Sequence, residues 1–510
     1  MRSDSSVPLM VPGYRPDGMN MWDTWYLARN EQVHMFHLQR WAAGSHRSQP
    51  EEDFLGHAVT DDLVRWRELP ILLGPNEPGT LDDLHSWTGC AVEHEGQYYL
   101  YYTMRSSRDN GRSQRIGLAL SDDLITWRRY PGNPVIVPDD TFYRGYANPM
   151  PRNKVDCRDL IVVRNPAGKG WTGFFATCIT AEEESESNVI GVAQSEDLVH
   201  WRQLPPAFVP GGGGEVELPD VYFLDGRWYL TCLTSNQHGG RGVYSDKHAA
   251  CGTLYAVSDK LEGPYRMLEG DNTLFCGPDW SCGLSCRSVV FRGKRYVFFT
   301  QSVTLSPPME PTTISGGRLR LKYSDKNQAW YQGPPLVKND APAIHSLPAT
   351  HSSGGLSCGR WRLNEGIYRG EARSGWQLAY LGIGSRNMEI NATITLHSGV
   401  AAGLAVTANG ERLHAENDEV FALDAAEQCA LASSLPGFQP MAKRNVTIGY
   451  GVPYRMRVVI RRPRCEVYLD DILTLTVPVE SATQTAPSVA LFIDRGSVEI
   501  KDLGVRRLCE

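Results

Sequence analysis

No run of about eighteen apolar residues occurs in the 510-residue chain, so no segment reads as a membrane-crossing helix. There is no block or stripe of lysine and arginine. The formal net charge is −7, which argues against nucleic acid as the main partner. The N-terminal stretch MRSDSSVPLMVPGYRPDG lacks an apolar core of signal-peptide length. The twelve cysteines are scattered, mostly inside strand-like stretches such as Trp171–Cys178 and Trp228–Cys232. They read as buried, reduced, small apolar residues. Cys276, Cys282 and Cys286 lie close together but have neither paired C-x-x-C spacing nor a histidine partner, so no zinc site is expected. With no leader and reduced thiols, the expected location is cytoplasmic. The run Gly211–Gly214 lacks the Lys-Ser/Thr of a phosphate loop and reads as a rim loop. No Ser-His-Asp order and no metal-ligand spacing stands out, so neither cofactor nor metal is expected. Helix-period runs are few.

The chain is rich in one phrase. It reads GHAVTDDLVRW from Gly56, GLALSDDLITW from Gly117 and GVAQSEDLVHW from Gly191. Worn copies follow from Gly252 (GTLYAVSDKLEGPY) and Gly317 (GRLRLKYSDKNQAWY). The period is roughly 60 to 75 residues, longer than that of common propeller repeats. Before each copy lies a strand rich in aromatic and β-branched residues: Val33–Gln39, Tyr98–Met104, Trp171–Cys178, Trp228–Ser235 and Tyr296–Ser302. Upstream of each of these is one more element: WDTWYL at Trp22, WTGCAV at Trp87, RDLIVV at Arg158, ELPDVYF at Glu217 and SCRSVVF at Ser285. Each unit is therefore a four-stranded antiparallel blade. The Asp of the phrase caps a turn, and its Trp packs between neighbouring sheets. Five units predict a five-bladed β-propeller over residues 1–335, with the first strand of each blade lining the central channel.

Hydrophobic content is 41% and charged content 21%, as in globular proteins, and 510 residues exceed one ordinary core. Residues 336–357 are rich in Pro, Gly, Ser and His and read as a linker. From 358 to 510, alternating runs such as WQLAYLGI, YRMRVVIRR and SVALFI predict a β-sandwich, whose acidic pairs such as Asp470-Asp471 read as solvated turns. The expected fold class is all-β.

Chemistry is sought on the five channel strands. Asp23 stands between Trp22 and Trp25, Arg158 and Asp159 lead into LIVV, and Glu217 leads into VYF. Clustered carboxylates raise the pKa of at least one member, the condition for one acid and one base or nucleophile at neutral pH. Two carboxylates across an aromatic-rimmed pocket suit glycosidic-bond chemistry. The bland alternative is a structural Arg158–Asp159 ion pair with Asp23 and Glu217 as solvated rim residues. His34, His37 and His57 read as packing or hydrogen-bonding residues.

These motifs resemble the invertase–levansucrase clan of fructan-active glycoside hydrolases, in which the invertase branch adds a C-terminal β-sandwich to a five-bladed propeller. WDTWYL is similar to the segment that carries the nucleophile, WTG at Trp87–Gly89 to a sugar-pocket segment, Cys157-Arg158-Asp159 to the Arg-Asp-Pro motif, and Glu217 in VELPDVYF to the acid/base glutamate. The resemblance implies Asp23 as nucleophile, Asp159 as transition-state stabiliser and Glu217 as general acid/base. Trp22, Trp25, Gln39, Trp87 and Arg158 would bind substrate. The implied activity is a retaining hydrolase or fructosyltransferase acting on sucrose, fructan or fructo-oligosaccharide β-fructofuranosides. The chain departs from the clan at Leu160, where the motif has Pro, and at Leu218, where it has Cys or Arg. These departures shape the pocket and its acceptor side and leave the carboxylates in place. An inverting furanosidase of the arabinanase–xylosidase propellers and a non-catalytic carbohydrate-binding protein are the alternatives.

Overall fold

The computed structural model describes the chain apart from residues 1–12, 43–52, 151–153, 167, 183–186, 212–214, 236–250, 278–285, 302, 338–349, 353–358, 382, 408–417, 436–438, 463, 480–486 and 510. The expectations for the N-terminal stretch, the Gly211–Gly214 run past its first residue, Cys282 and most of the linker therefore lie outside the described residues. The chain divides into two compact units. One comprises Gly13–Cys276 and Gly283–Lys326, and the other holds Asn327–Glu510. No α-helix occurs among the described residues.

The first unit opens with β1 (Met19–Arg29), β2 (Gln32–Trp41), β3 (Phe54–Thr60) and β4 (Arg67–Leu73), an antiparallel sheet in chain order. Three more sheets repeat this plan. They are β5 (His85–His94) to β6 (Gln97–Arg105), β7 (Arg115–Ser121) and β8 (Arg128–Arg129); β9 (Cys157–Arg164) to β10 (Trp171–Cys178), β11 (Asn188–Ser195) and β12 (Arg202–Phe208); and β13 (Glu215–Leu224) to β14 (Arg227–Ser235), β15 (Cys251–Ser258) and β16 (Thr273–Gly277). A fifth group begins with β17 (Cys286–Phe291) and β18 (Lys294–Gln301) and continues in Met309–Ile314 and Arg318–Tyr323. It does not stand as a separate four-stranded sheet: β18 meets Met309–Ile314 only at Val297, while Thr300 and Gln301 pair with Leu305 and Thr304. The sequence pattern predicts five blades, and four stand as separate four-stranded sheets.

The five first strands run in a closed cycle. β1 packs beside β5, β5 beside β9, β9 beside β13, β13 beside β17 and β17 beside β1. Apolar contacts between the sheets hold this ring. Trp25, Leu100, Tyr101, Leu160 and Phe175 share one core, and Phe174, Val221, Leu230 and Leu254 share the next. Met21, Met35, Phe291 and Phe298 join the last group to the first. The architecture is a mostly-β propeller.

The repeated phrase forms the same turn three times. Thr60, Ser121 and Ser195 each donate a hydroxyl to the carboxylate of Asp62, Asp123 and Asp197. Each of those carboxylates then accepts two backbone N–H groups, as Asp123 does from Ile125 at 2.8 Å and Thr126 at 2.7 Å. These bonds favour the charged form and hold the Asp123 carboxyl down at about 2. The Leu after each Asp adopts positive φ, 71° at Leu63, 67° at Leu124 and 66° at Leu198. Trp201 meets Tyr101 of the neighbouring sheet edge-on at 5.8 Å, and Trp66 meets Phe298 of β18 at 5.9 Å.

In the second unit the long strands Met388–Thr407 and Ser488–Leu508 pair antiparallel, and Ile367–Tyr380 pairs with the other side of Ser488–Leu508. Their alternating side chains form a core around Ile390, Leu404, Val458, Leu491 and Val505.

Candidate active site

Each of β1, β5, β9 and β13 carries a register break against its partner. The breaks lie between Trp22 and Thr24, between Trp87 and Cys90, opposite Phe174 and Ala176, and between Glu217 and Asp220. A bulge puts two residues opposite one and re-aims the extra side chain. Asp23 is the residue skipped on β1, with φ 44°. Asp159 has φ 61° and Leu218, next to Glu217, φ 53°. Asp tolerates this left-handed region better than most residues, and branched Leu does not, so packing must hold Leu218 there. Its neighbours do so: Leu218 is buried and its N–H donates to Asp159 Oδ2 at 3.2 Å. Leu160 is fully buried in the core between sheets. Both departures from the expected motif are thus absorbed by packing, and the Leu218 backbone ties two of the expected site residues together.

The structure brings Asp23, Arg158, Asp159 and Glu217 into one cluster. Arg158 is buried, and its Nη2 donates to Glu217 Oε1 at 2.8 Å and to Glu215 Oε1 at 2.5 Å. It lies 3.6 Å from Asp159 Oδ2 and 3.2 Å from Asp156 Oδ1, ion-pair distances without hydrogen-bond geometry. A second chain of bonds runs from Asp159 to Asp23. Asp159 N–H donates to Thr103 Oγ1 at 3.2 Å, Thr103 Oγ1 donates to the Thr88 carbonyl at 2.8 Å, and Thr88 Oγ1 donates to Asp23 Oδ2 at 2.8 Å. From β17, fully buried Arg287 donates to the Asp159 carbonyl at 3.0 Å.

Burial dominates the electrostatics. It pushes the Asp23 carboxyl up to about 7, with the charge of Asp159 adding to the rise and the Thr88 bond, Arg287 and Arg158 opposing it. Burial likewise raises Glu217 to about 8; Arg158 opposes, and Glu215, Asp159 and Asp23 reinforce. Asp159 is raised by burial against the pull of Arg158 and Arg287. Both carboxyls are lifted into the neutral range, the condition for an anionic carboxylate and a protonated carboxyl in one site near neutral pH.

A stability consequence follows. The folded Asp23 pKa exceeds its unfolded value, so wild type loses stability as pH rises from about 4 to 7. Asp23→Asn removes that ionisation. The variant should melt several degrees above wild type at pH 8, and the gap should close toward pH 4; a gap that is the same at both pH values would contradict the buried-charge account.

The expected substrate-binding residues fare unequally. Trp22 is half-buried, with the Arg40 guanidinium 5.7 Å from its ring centre. Trp87 is held firmly: its Nε1 donates to Asp53 Oδ2 at 2.8 Å, and the Arg105 guanidinium lies 3.7 Å over its ring. Trp25 is a correction. It is 1% exposed and stacks on Phe36, its partner across the β1–β2 ladder, so its ring belongs to the core and offers no face to a sugar. Gln39 is buried beside His37 and Gly56, and its Oε1 has no partner among the described residues. His34 and His57 share a 2.9 Å hydrogen bond, and burial lowers both. Cys90, Cys157, Cys178, Cys232 and Cys286 are buried thiols. No group of three metal-ligating side chains occurs among the described residues.

Sequence reasoning missed Glu215, Asp156, Thr88, Thr103, Asp53 and Arg287. Two of these carry a readable signal. Glu215 and Glu217 are two apart on one strand, which places them on one face. Arg287 heads the fifth first strand, where the other sheets carry Asp23, Asp159 and Glu217.

Residues 19–272 match the model of the glycosyl hydrolases family 32 N-terminal domain. A levanase of Bacillus sp. (strain L7) is 31% identical over 185 residues, 33% of this chain and 18% of that protein. A levanase of Bacillus subtilis is 29% identical over 205 residues, 37% of this chain and 27% of that protein. The chain thus spans less than a third of the length of these curated relatives. In fold, the sucrose-6-phosphate hydrolase of Lactobacillus gasseri aligns at TM-score 0.68 with 14% identity, covering 98% of this chain and 93% of the other. The exo-inulinase of Aspergillus awamori aligns at 0.67 with 16% identity, covering 98% of each.

Proposed function

We propose, starting from the fact that residues 19–272 belong to the glycosyl hydrolases family 32 N-terminal domain, that the chain cleaves β-fructofuranosidic bonds with retention of configuration. The observation that carries this reading is the common placement of three carboxyls. Asp23, Asp159 and Glu217 stand at the bulges of three first strands of one closed ring, β1, β9 and β13, and the buried Arg158 guanidinium pairs with the last two. We read the architecture as a five-bladed propeller over residues 1–335, a linker over 336–357 and a β-sandwich over 358–510. The fifth blade is the group that starts at β17. Levanases and a sucrose-6-phosphate hydrolase among the relatives support fructosides as the substrate class.

Asp23 Oδ attacks the anomeric carbon of a terminal fructosyl unit as the glycosidic oxygen leaves with the proton of Glu217. The product is a fructosyl ester on Asp23. Glu217, now anionic, takes a proton from water, whose oxygen attacks the same carbon and frees Asp23; an acceptor sugar hydroxyl in place of water gives transfer. Two displacements restore the starting configuration. Asp159 holds ring hydroxyls as positive charge develops, and Arg158 fixes Asp159 and the acid/base in register. Thr88 keeps one oxygen of Asp23 engaged and leaves the other for attack. This chemistry needs no metal.

The test is incubation with sucrose, inulin, levan, difructose anhydrides and arabinosides, with the first-released anomer followed by NMR. The expected product is β-fructofuranose. An inverted first product, or fructosides untouched and arabinosides cleaved, would replace this reading by the inverting furanosidase. Tight sugar binding with no product on the whole panel would replace it by a binding protein. The pH profile of kcat/KM should be a bell. Its acid limb is set by Asp23 near 7 and its basic limb by Glu217 near 8. A rate still rising at pH 10 would contradict the assignment of the acid.

A further inference from the structure

We infer that Glu215 is a positioning residue for Glu217, sharing the Arg158 guanidinium with it and setting its protonation; the inference rests on the reading of Glu217 as acid/base. One nitrogen, Arg158 Nη2, donates to both glutamates, at 2.5 Å to Glu215 and 2.8 Å to Glu217. The two carboxylates lie on one face of β13, paired across the ladder with Ser235 and Leu233. Behind them, Lys154 Nζ lies 4.0 Å from Glu215 Oε1 and 2.9 Å from Asp156 Oδ2. Glu217 is faced by Arg158 and Asp159 of β9 and by Asp23 of β1; Asp156 and Lys154 join the cluster through Arg158 and Glu215, and Arg287 of β17 joins it through Asp23 and Asp159. Counting Glu215, five carboxyls meet three cations among the described residues. The cluster is neutral only when two of the five hold protons, and a buried cluster resists net charge.

Glu215 acts on that balance in two ways. It takes a share of the Arg158 charge that would otherwise stabilise ionised Glu217 alone, and its own charge opposes ionisation of Glu217. Both keep the proton on Glu217, where a general acid needs it. In this scheme Glu215 neither transfers the proton nor bonds the sugar, so its effect reaches the substrate through Arg158 and Glu217.

The experiment compares wild type with Glu215→Gln and Glu215→Asp. Glu215→Gln keeps the shape and removes the charge. It should move the basic limb of kcat/KM down by about one pH unit, with the acid limb shifted less and KM little changed. Glu215→Asp, which keeps the charge, should restore most of the limb. Independently of turnover, side-chain 13C-glutamate NMR follows the Glu217 carboxyl, assigned by its loss in Glu217→Gln; its titration midpoint should fall in Glu215→Gln. An unchanged midpoint and limb overturn the inference and leave the acid/base reading standing. Wild type that cleaves no fructoside overturns the acid/base reading, and the NMR midpoint then still decides whether Glu215 governs Glu217.

Discussion

Asp23→Asn is expected to lower kcat/KM on the best fructoside by ~10^4-fold or more while leaving the fold intact. The amide cannot form the fructosyl ester, and no neighbour can replace it. Asp159 is fixed through the Leu218 N–H and the Thr103 bond, and Glu217 through Arg158. Asn is the right replacement because it tolerates the φ of 44° at this position, whereas Ala adds strain unrelated to chemistry. Far-ultraviolet circular dichroism and the melting temperature should show a protein at least as stable as wild type. Mass spectrometry of wild type quenched during turnover should place a fructosyl adduct on a peptide containing Asp23. Asp23→Asn with more than a tenth of wild-type activity, or an adduct on another peptide, would remove Asp23 from the role of nucleophile.

Glu217→Gln should give a loss that depends on the leaving group. With sucrose the departing oxygen needs a proton, and kcat/KM should fall by ~10^2 to 10^4-fold. With fructosyl fluoride the leaving group departs unprotonated, so formation of the fructosyl-enzyme should be nearly as fast as in wild type. The second step, which needs a base, should then be slow, and the adduct should accumulate. Asp23→Asn should be dead on both substrates, so the pair of variants separates the two roles. Equal losses of Glu217→Gln on sucrose and fluoride would show that Glu217 does not donate the proton.

Much of the propeller was legible because its repeat encodes a turn with a physical requirement. Ser/Thr-x-Asp supplies a hydroxyl and a carboxylate that satisfy the same backbone N–H groups each time, and the Trp that follows must find a partner on the next sheet. Counting back from that turn located Asp23, Asp159 and Glu217. What counting could not locate was the bulges. Which residue is doubled depends on the register of the partner strand, and neither strand shows that alone. The same blindness put Trp25 in the sugar site. Its neighbour Asp23 faces other carboxyls, but Trp25 itself pairs with Phe36, and that pairing buries it. The fifth group was written as a full blade because its strands have blade composition, although the ladder between its second strand and Met309–Ile314 has almost no pairs. Glu215 and Asp156 were passed over because each needs Arg158 between it and the site, a relation set by the packing of β9 beside β13.

The skipped position on β1 has a consequence for descent. Asp23 has no partner in the β1–β2 ladder, which resumes on either side of it at Trp22 with Leu38 and Thr24 with His37. A change of side chain there leaves every neighbouring pair in place. Lineages on this scaffold can therefore lose their reaction by a substitution such as Asp23→Asn, which suits the backbone there and leaves the ladder intact. Among descendants, a preference for Asp over Asn at this position would report selection on chemistry, while conservation of the flanking pairs would report selection on the propeller itself.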